Sequence, residues 1–359
     1  MTAGIAGGKW KKTQERHRAW WKREGVILSR WAPFVATPQG IPGPAGGASV
    51  EDRWTDIDIV SGRVAYEADY TEYPADMAPI VDFMGWGPGC LATYLGSEPG
   101  FAEGTVWFFP RKDRIEDWPS LKFDPENKWW KLHEATLSRL VAESKGRYLI
   151  GCPDLVENLD TLCSLRDGQE IMMDMIERPE WVEEKIREIN TVWFEAYDRI
   201  WNIIKAEDGS SAYNAFGLWG DGKTAKLQCD ASAMISQDMF DRFVVPSLSE
   251  QASRLDNAVY HLDGTQAIRH LDSLLAIEGL DAIEWTPQAG IEGGGDRRWY
   301  DMYRKILDAG KSVMTVHVDA ADVIPLLDAV GPNGIFLHIM DLNTPGELET
   351  IAGEVHKRF

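Results

Sequence analysis

Over the last hundred residues, short apolar runs alternate with stretches of helical periodicity: AVYHLDG (258–264), DAIEWTP (281–287), SVMTVHVD (312–319) and GIFLHIMD (334–341). RYLIG (147–151) is an earlier run of the same kind, ending in the polar stretch CPDLVENLD. An apolar run of this length followed by a 3.6-residue pattern reads as a buried strand and then a helix. Such alternation calls for parallel strands joined by crossover helices. The longest helical pattern is RPEWVEEKIREINTVWFEAYDRIWNII, whose apolar positions Val182, Ile186, Ile189, Trp193, Ala196, Ile200 and Ile203 share one face. Ser236 is placed to cap a helix running through Phe243. Thr344-Pro345-Gly346-Glu347 has the composition of a capping box opening the last helix.

The repeat of roughly 20–30 residues per unit fits a closed barrel or a doubly wound sheet. Neither a G-x-G-x-x-G turn nor a P-loop occurs, and GIEGGGDRR (290–298) reads as a flexible loop. The expected fold is therefore α/β, a (β/α)₈ TIM-type barrel over residues 51–359. The N-terminal stretch from Lys9 to Trp31 is basic and aromatic and reads as a helix, followed by the Pro- and Gly-rich loop VATPQGIPGPAGGASV. Residues 1–50 are thus expected to form a helical and loop extension packed on the barrel.

Composition narrows the functional classes. The 359 residues are 44% hydrophobic, enough for a large core, and no apolar stretch approaches the ~20 residues of a membrane span. The formal net charge of −20 disfavours nucleic acid and anionic membrane as partners. Four scattered cysteines and an N-terminus without an apolar core suggest reduced thiols in a cytoplasm. Sixteen tryptophans are unusual; most are expected in the core or at an interface, and a few to wall a pocket for a flat or cationic substrate.

Ionisable residues close each of the last four strands: His261 with Asp263, Glu284, His317, and His338 with Asp341 nearby. Parallel strands bring their C-terminal ends to one rim, which makes these residues the expected active site. His261 and Asp263 are two apart on a strand and point the same way, so both suit one divalent metal ion, or an acid–base pair without metal. Asp263-Gly264 is also a turn signal, and Asp263 then merely caps the next helix. Cys229, in LQCDASAMIS, is either a buried small hydrophobe or a thiolate ligand, and Asp230 beside it is a candidate to bind substrate. Trp219, Asp221, Trp285, Asp154 and His317 are the remaining candidates for substrate contact.

Two stretches, CPDLVENLDTLCSLRDGQEIMMDMIERPEWVEEKI and ISQDMFDRFVVPSLSEQ…VYHLDG, resemble the uroporphyrinogen decarboxylase superfamily, which includes methyltransferases that exchange methyl groups with corrinoid proteins. The resemblance covers roughly residues 145–355. The decarboxylase's R-Q-A-G-R-Y signature has no counterpart here, so porphyrin decarboxylation is not expected. The methyltransferase branch implies zinc held by His-x-Cys and a later Cys. This chain has His261 at the His, Asp263 at the first Cys, and His338 or Asp341 but no Cys near the last strand. Glu284 stands where that branch also has an acidic residue.

These substitutions make a harder donor set than zinc thiolate. The leading expectation is a metal-dependent methyltransferase with a divalent ion, zinc first, on His261, Asp263, Glu284, Cys229 and His338. It would move a methyl group between a small O-, N- or S-methylated substrate and a corrinoid (cobalamin) on a partner protein, with a homodimer left open. The alternatives are a lyase such as a decarboxylase, using His261 and Asp263 as acid and base without metal, and a non-catalytic small-molecule or corrinoid binding protein.

Overall fold

The computed structural model describes residues 8–36, 41, 43–44, 46–81 and 86–359. The loop expected over 35–50 therefore lies partly outside the described residues. Ten strands carry the architecture: β1 (Val26–Ser29), β2 (Ile80–Val81), β3 (Leu149–Cys152), β4 (Ser211–Tyr213), β5 (Leu218–Gly220), β6 (Thr224–Gln228), β7 (Asn257–Asp263), β8 (Ala282–Thr286), β9 (Ser312–Val318) and β10 (Ile335–Ile339). Six of them form one parallel sheet in the order β1-β10-β9-β8-β7-β6. A second sheet runs β2-β3-β4-β5, parallel except for the β4–β5 pair. At one junction between the sheets the Thr224 amide donates to Ser211 Oγ at 3.2 Å. At the other, the Asp76 amide, shortly before β2, donates to the Leu28 carbonyl at 3.3 Å. The chain is thus of the expected α/β class, with helices between successive parallel strands.

The strands read as unbroken apolar runs because helices cover them. Ile335 to Ile339 is buried at every position, as is Thr224 to Gln228. The long helix Pro179–Ile204 buries Val182, Ile186, Ile189, Trp193, Ala196 and Ile200 as the periodicity requires, and closes on Ile204 rather than Ile203. Ser236 caps Gln237–Phe243 by accepting the Met239 amide, and Thr344 with Glu347 forms the expected capping box. No helix among the described residues is long and apolar enough to cross a membrane.

Two expectations need correction. The N-terminal helix ends at Trp21, not Trp31: Arg23 turns to a φ of 60°, and Val26–Ser29 continues as β1, paired with Ile335 to His338. The stretch 1–50 is therefore not purely an extension, because it supplies a strand of the main sheet. The run GIEGGGDRR is not a free loop. A Cβ at Gly293 would meet the His317 carbonyl at 2.0 Å and one at Gly294 would meet Thr315 Oγ1 at 2.0 Å, so these glycines permit a close backbone approach. Tyr303 fixes it by donating to the Gly294 carbonyl at 2.6 Å.

Candidate active site

The register of β7 against β8 puts His261 beside Glu284. Their side chains meet: Nδ1 of His261 is hydrogen-bonded to Glu284 Oε2, and the other carboxylate oxygen accepts the Thr286 hydroxyl at 2.8 Å. Glu284 is fully buried, so these two hydrogen bonds satisfy polar oxygens that would be costly to leave unpaired there. With Nδ1 engaged, Nε2 is the ring nitrogen left for another partner. One ligand atom each from His261, Asp230 and Asp263 lies within 4.8 Å of the other two. Asp263 makes no side-chain cap to the helix that follows, which leaves its carboxylate free of the structural role.

Electrostatics follow from this geometry. Burial pulls the His261 pKa down, but the charge and hydrogen bond of Glu284, helped by Asp230, outweigh it and raise the imidazole above its ordinary value. Asp230 is also raised. Burial dominates, repulsion from Asp263 and Asp154 adds to it, and attraction to His261 and Lys226 opposes it. The group therefore gathers two acids and one base, and negative charge on Asp230 is disfavoured there.

Around this group lie residues that shape the space. Phe216 packs 5.2 Å from the His261 ring and 6.5 Å from that of His338, with Trp31 over it at 4.7 Å. Phe216 holds φ at 62°, a left-handed conformation that a bulky side chain adopts only where its surroundings enforce it, at a cost of roughly 1–3 kcal/mol. Below Glu284's level of the site, Lys226 Nζ contacts Asp154 Oδ2 at 2.5 Å, and Tyr213 donates to Asp154 Oδ1 at 3.0 Å. The Lys226 side chain is 2% exposed, so this ion pair belongs to the interior.

His338 and Cys229 do not join the His261 group. His338 is buried against Phe336, 4.8 Å between rings, with neither ring nitrogen hydrogen-bonded, and burial drives its pKa down to about 3. Cys229 points to a different cluster, with Glu157 and Asp160. Burial, reinforced by those two carboxylates, pushes its thiol well up. Burial and the charge of Asp230 likewise lift Asp160 to about 7, although its carboxylate accepts the amides of Asp230 at 2.7 Å and Ala231 at 3.0 Å.

The remaining candidates fall elsewhere. Trp285 alternates with Glu284 on β8 and so faces the covering helices, where it packs 4.7 Å from Trp299. Trp219 and Asp221 lie toward the opposite ends of the strands. Trp219 packs against Trp10 at 5.4 Å, and Asp221 is gripped by Arg18 through two hydrogen bonds of 2.7 and 2.8 Å. They hold the N-terminal helix in place instead of lining the rim. His317 is exposed at a bulge in β9, with φ at 55°. Asp341 accepts the Ala320 amide at 2.8 Å, a structural bond between loops. Asp154 is near the site, but as the partner of Lys226.

Sequence reasoning passed over Lys226, Thr286, Phe216, Glu157 and Asp160. Lys226 had a signal: in TAKLQ it is the one charge in a strand buried at every position. Thr286 had the strand alternation, two residues beyond Glu284. Phe216 depends on a turn and Glu157 and Asp160 on a helix start far from β7, and they had none.

No family model matches the sequence, and no curated protein matches it. Among solved structures the chain is similar to a methyltransferase from Methanosarcina mazei, with a TM-score of 0.62 over 96% of this chain and 98% of that one. The sequence identity is 11%, so the likeness is one of fold.

Proposed function

We propose that the protein is a metal-dependent methyltransferase, built on a closed (β/α)₈-type barrel, that moves a methyl group between a small methylated substrate and a corrinoid carried by a partner protein. The observation that carries this reading is the Glu284–His261 pair, which engages Nδ1 and leaves Nε2 for a ligand in a group where His261, Asp230 and Asp263 each bring a ligand atom within 4.8 Å of the other two. A carboxylate fixing one nitrogen of a histidine whose other nitrogen binds metal is a recurrent second-layer arrangement. The donor set fits a divalent ion: one imidazole and two carboxylates suit Zn²⁺ and also Fe²⁺ or Mn²⁺. Such an ion, when bound, polarises the heteroatom that leaves the methyl group. The fold shared with the Methanosarcina mazei methyltransferase supports the same reaction class by analogy only.

The chain's own residues do the rest. Glu284 and Thr286 hold the His261 ring, Phe216 closes one side of it, and Asp160 anchors the backbone that presents Asp230. Elemental analysis of the purified protein tests the proposal, with His261→Ala and Asp263→Ala as controls. Near-stoichiometric metal in the wild type, lost in both variants, together with demethylation of O-, N- or S-methyl compounds by reduced corrinoid, is the expected result. A folded wild type that binds no added metal and demethylates none of them overturns it.

One observation favours a second reading, a lyase without metal. The raised proton affinity of His261 beside Glu284 suits a general acid, with Asp263 as base. Activity that survives chelators, with a pH profile governed by the imidazole, separates it from the first.

A further inference from the structure

A second group of potential ligands lies apart from the His261 site. Glu157 is the N-cap of the helix Asn158–Arg166, and Asp160 follows three residues later on the same turn. Asp160 does not reach back to its own helix end; it turns to the segment that leaves β6 and accepts the Asp230 and Ala231 amides. Cys229, at the start of that segment, brings its Sγ to 3.9 Å from Asp160 Oδ1. One ligand atom from each of the three lies within 4.8 Å of the other two.

The independent sign of a missing partner is Glu157. Its side chain is fully buried, one oxygen accepts the Leu159 amide, and the other has no donor in hydrogen-bonding geometry, with the Cys229 thiol as its polar neighbour within the cluster. A buried carboxyl oxygen left without a donor has lost its hydration with nothing in return. No Lys or Arg pairs with Glu157 or Asp160 among the described residues; Lys226, whose charge acts on Asp160, is itself held by Asp154. The cluster therefore has three acids, an orphaned oxygen and no counter-ion.

We propose that Glu157, Asp160 and Cys229 form a second cation site that takes a thiophilic divalent ion, with Zn²⁺ as its type, and fastens the helix Asn158–Arg166 to the segment bearing Asp230. With Zn–S near 2.3 Å and Zn–O near 2.1 Å, tetrahedral ligands sit about 3.6 Å apart, so the 3.9 Å separation closes with a shift of a few tenths of an ångström. On binding, the thiol proton leaves to solvent as the metal–sulfur bond forms. Three protein ligands leave a fourth position for water. The thiolate selects Zn²⁺, Co²⁺ or Cd²⁺ over Mg²⁺ or Ca²⁺, and distinguishes this site from the sulfur-free group of Asp230, His261 and Asp263. Its role is positional: it stiffens the backbone that presents Asp230.

Cobalt substitution of the full-length protein tests this. The protein is stripped with a chelator and titrated with Co²⁺, and thiolate-to-cobalt charge-transfer absorption is followed while zinc stoichiometry is measured after reconstitution. The band is expected in the wild type and in His261→Ala, and is expected to disappear in Cys229→Ser and in Glu157→Gln, each with the loss of one zinc equivalent. Glu157→Gln keeps the carboxyl's shape, so it remains informative where the cysteine variant does not fold. Absence of the band in the wild type, or its persistence in a folded Cys229→Ser or Glu157→Gln protein, overturns the proposal. Loss of metal at His261 alone bears on the methyltransferase reading and leaves this band unchanged.

Discussion

His261 and Glu284 are cross-strand neighbours in register on β7 and β8, and the fully buried carboxylate of Glu284 holds Nδ1 of the partly buried His261. This relationship engages Nδ1 and leaves Nε2 as the nitrogen free for another partner. Replacing Glu284 with Gln retains the volume and one acceptor but removes the charge that raises the His261 proton affinity. Activity and metal affinity are expected to fall about 10- to 100-fold, the usual cost of losing such a partner. Circular dichroism and metal-binding titration check it: a folded variant with wild-type metal affinity and activity would remove Glu284 from the site's function.

That pair was half visible in the sequence. Both residues end apolar runs, and the alternation of strand and helix places such ends on one rim, so His261, Asp263 and Glu284 emerged together. The partnership of Cys229 did not emerge, because it depends on the helix start at Glu157, 72 residues earlier in the chain, and no local pattern links the two. Trp285 was misplaced for a simpler reason. A strand's side chains alternate, and a residue next to Glu284 must face away from it. Trp219 was misplaced because its strand, β5, runs back toward the start of β6, a reversal that the short run LWG gives no hint of. β1 was hidden inside a basic, aromatic stretch whose helical character ends four residues before it.

The Lys226–Asp154 ion pair makes a second prediction. Both side chains are largely removed from water, so deleting one leaves the other charge unsatisfied. Lys226→Met is expected to destabilise the fold by about 3 kcal/mol, the low end for breaking a buried pair. The double variant Lys226→Met with Asp154→Asn is expected to recover a large part of that loss. Urea unfolding of the wild type, both single variants and the double variant gives the coupling directly. Strictly additive losses would mean that the pair contributes nothing as a pair.

The tryptophans divide by role. Trp285→Phe and Trp219→Phe are expected to lower stability, by roughly 1–3 kcal/mol each for the lost core volume, without changing kcat/KM by more than a few fold. Trp219 braces Trp10 and the N-terminal helix, and Trp285 packs on Trp299, so neither reaches the His261 group. Trp31, which is 44% exposed and lies over Phe216, is the tryptophan near the site. Trp31→Ala is expected to raise KM and leave the unfolding midpoint nearly unchanged. A large loss of turnover in a stable Trp285→Phe protein would contradict this division.

Acid sensitivity of the fold follows from a histidine distant from the chemistry. His133 is buried, bonded through Nδ1 to the Tyr94 hydroxyl at 2.6 Å, and burial lowers its pKa to about 3. In the unfolded chain its pKa returns to about 6.5. Between these values the unfolded state binds the proton and the folded state does not, so stability falls as pH falls. The contribution is complete above about pH 6.5, shrinks steadily below it, and levels off near pH 3 once both states are protonated. From pH 6.5 to 5 this one group is expected to remove about 1–2 kcal/mol. Urea midpoints measured across that range check the slope, and His133→Gln, which cannot take up the proton, is expected to flatten it even where its absolute stability is lower. An identical slope in the variant would assign the acid sensitivity to other groups, of which His338, lowered by burial in the same way, is the first to test.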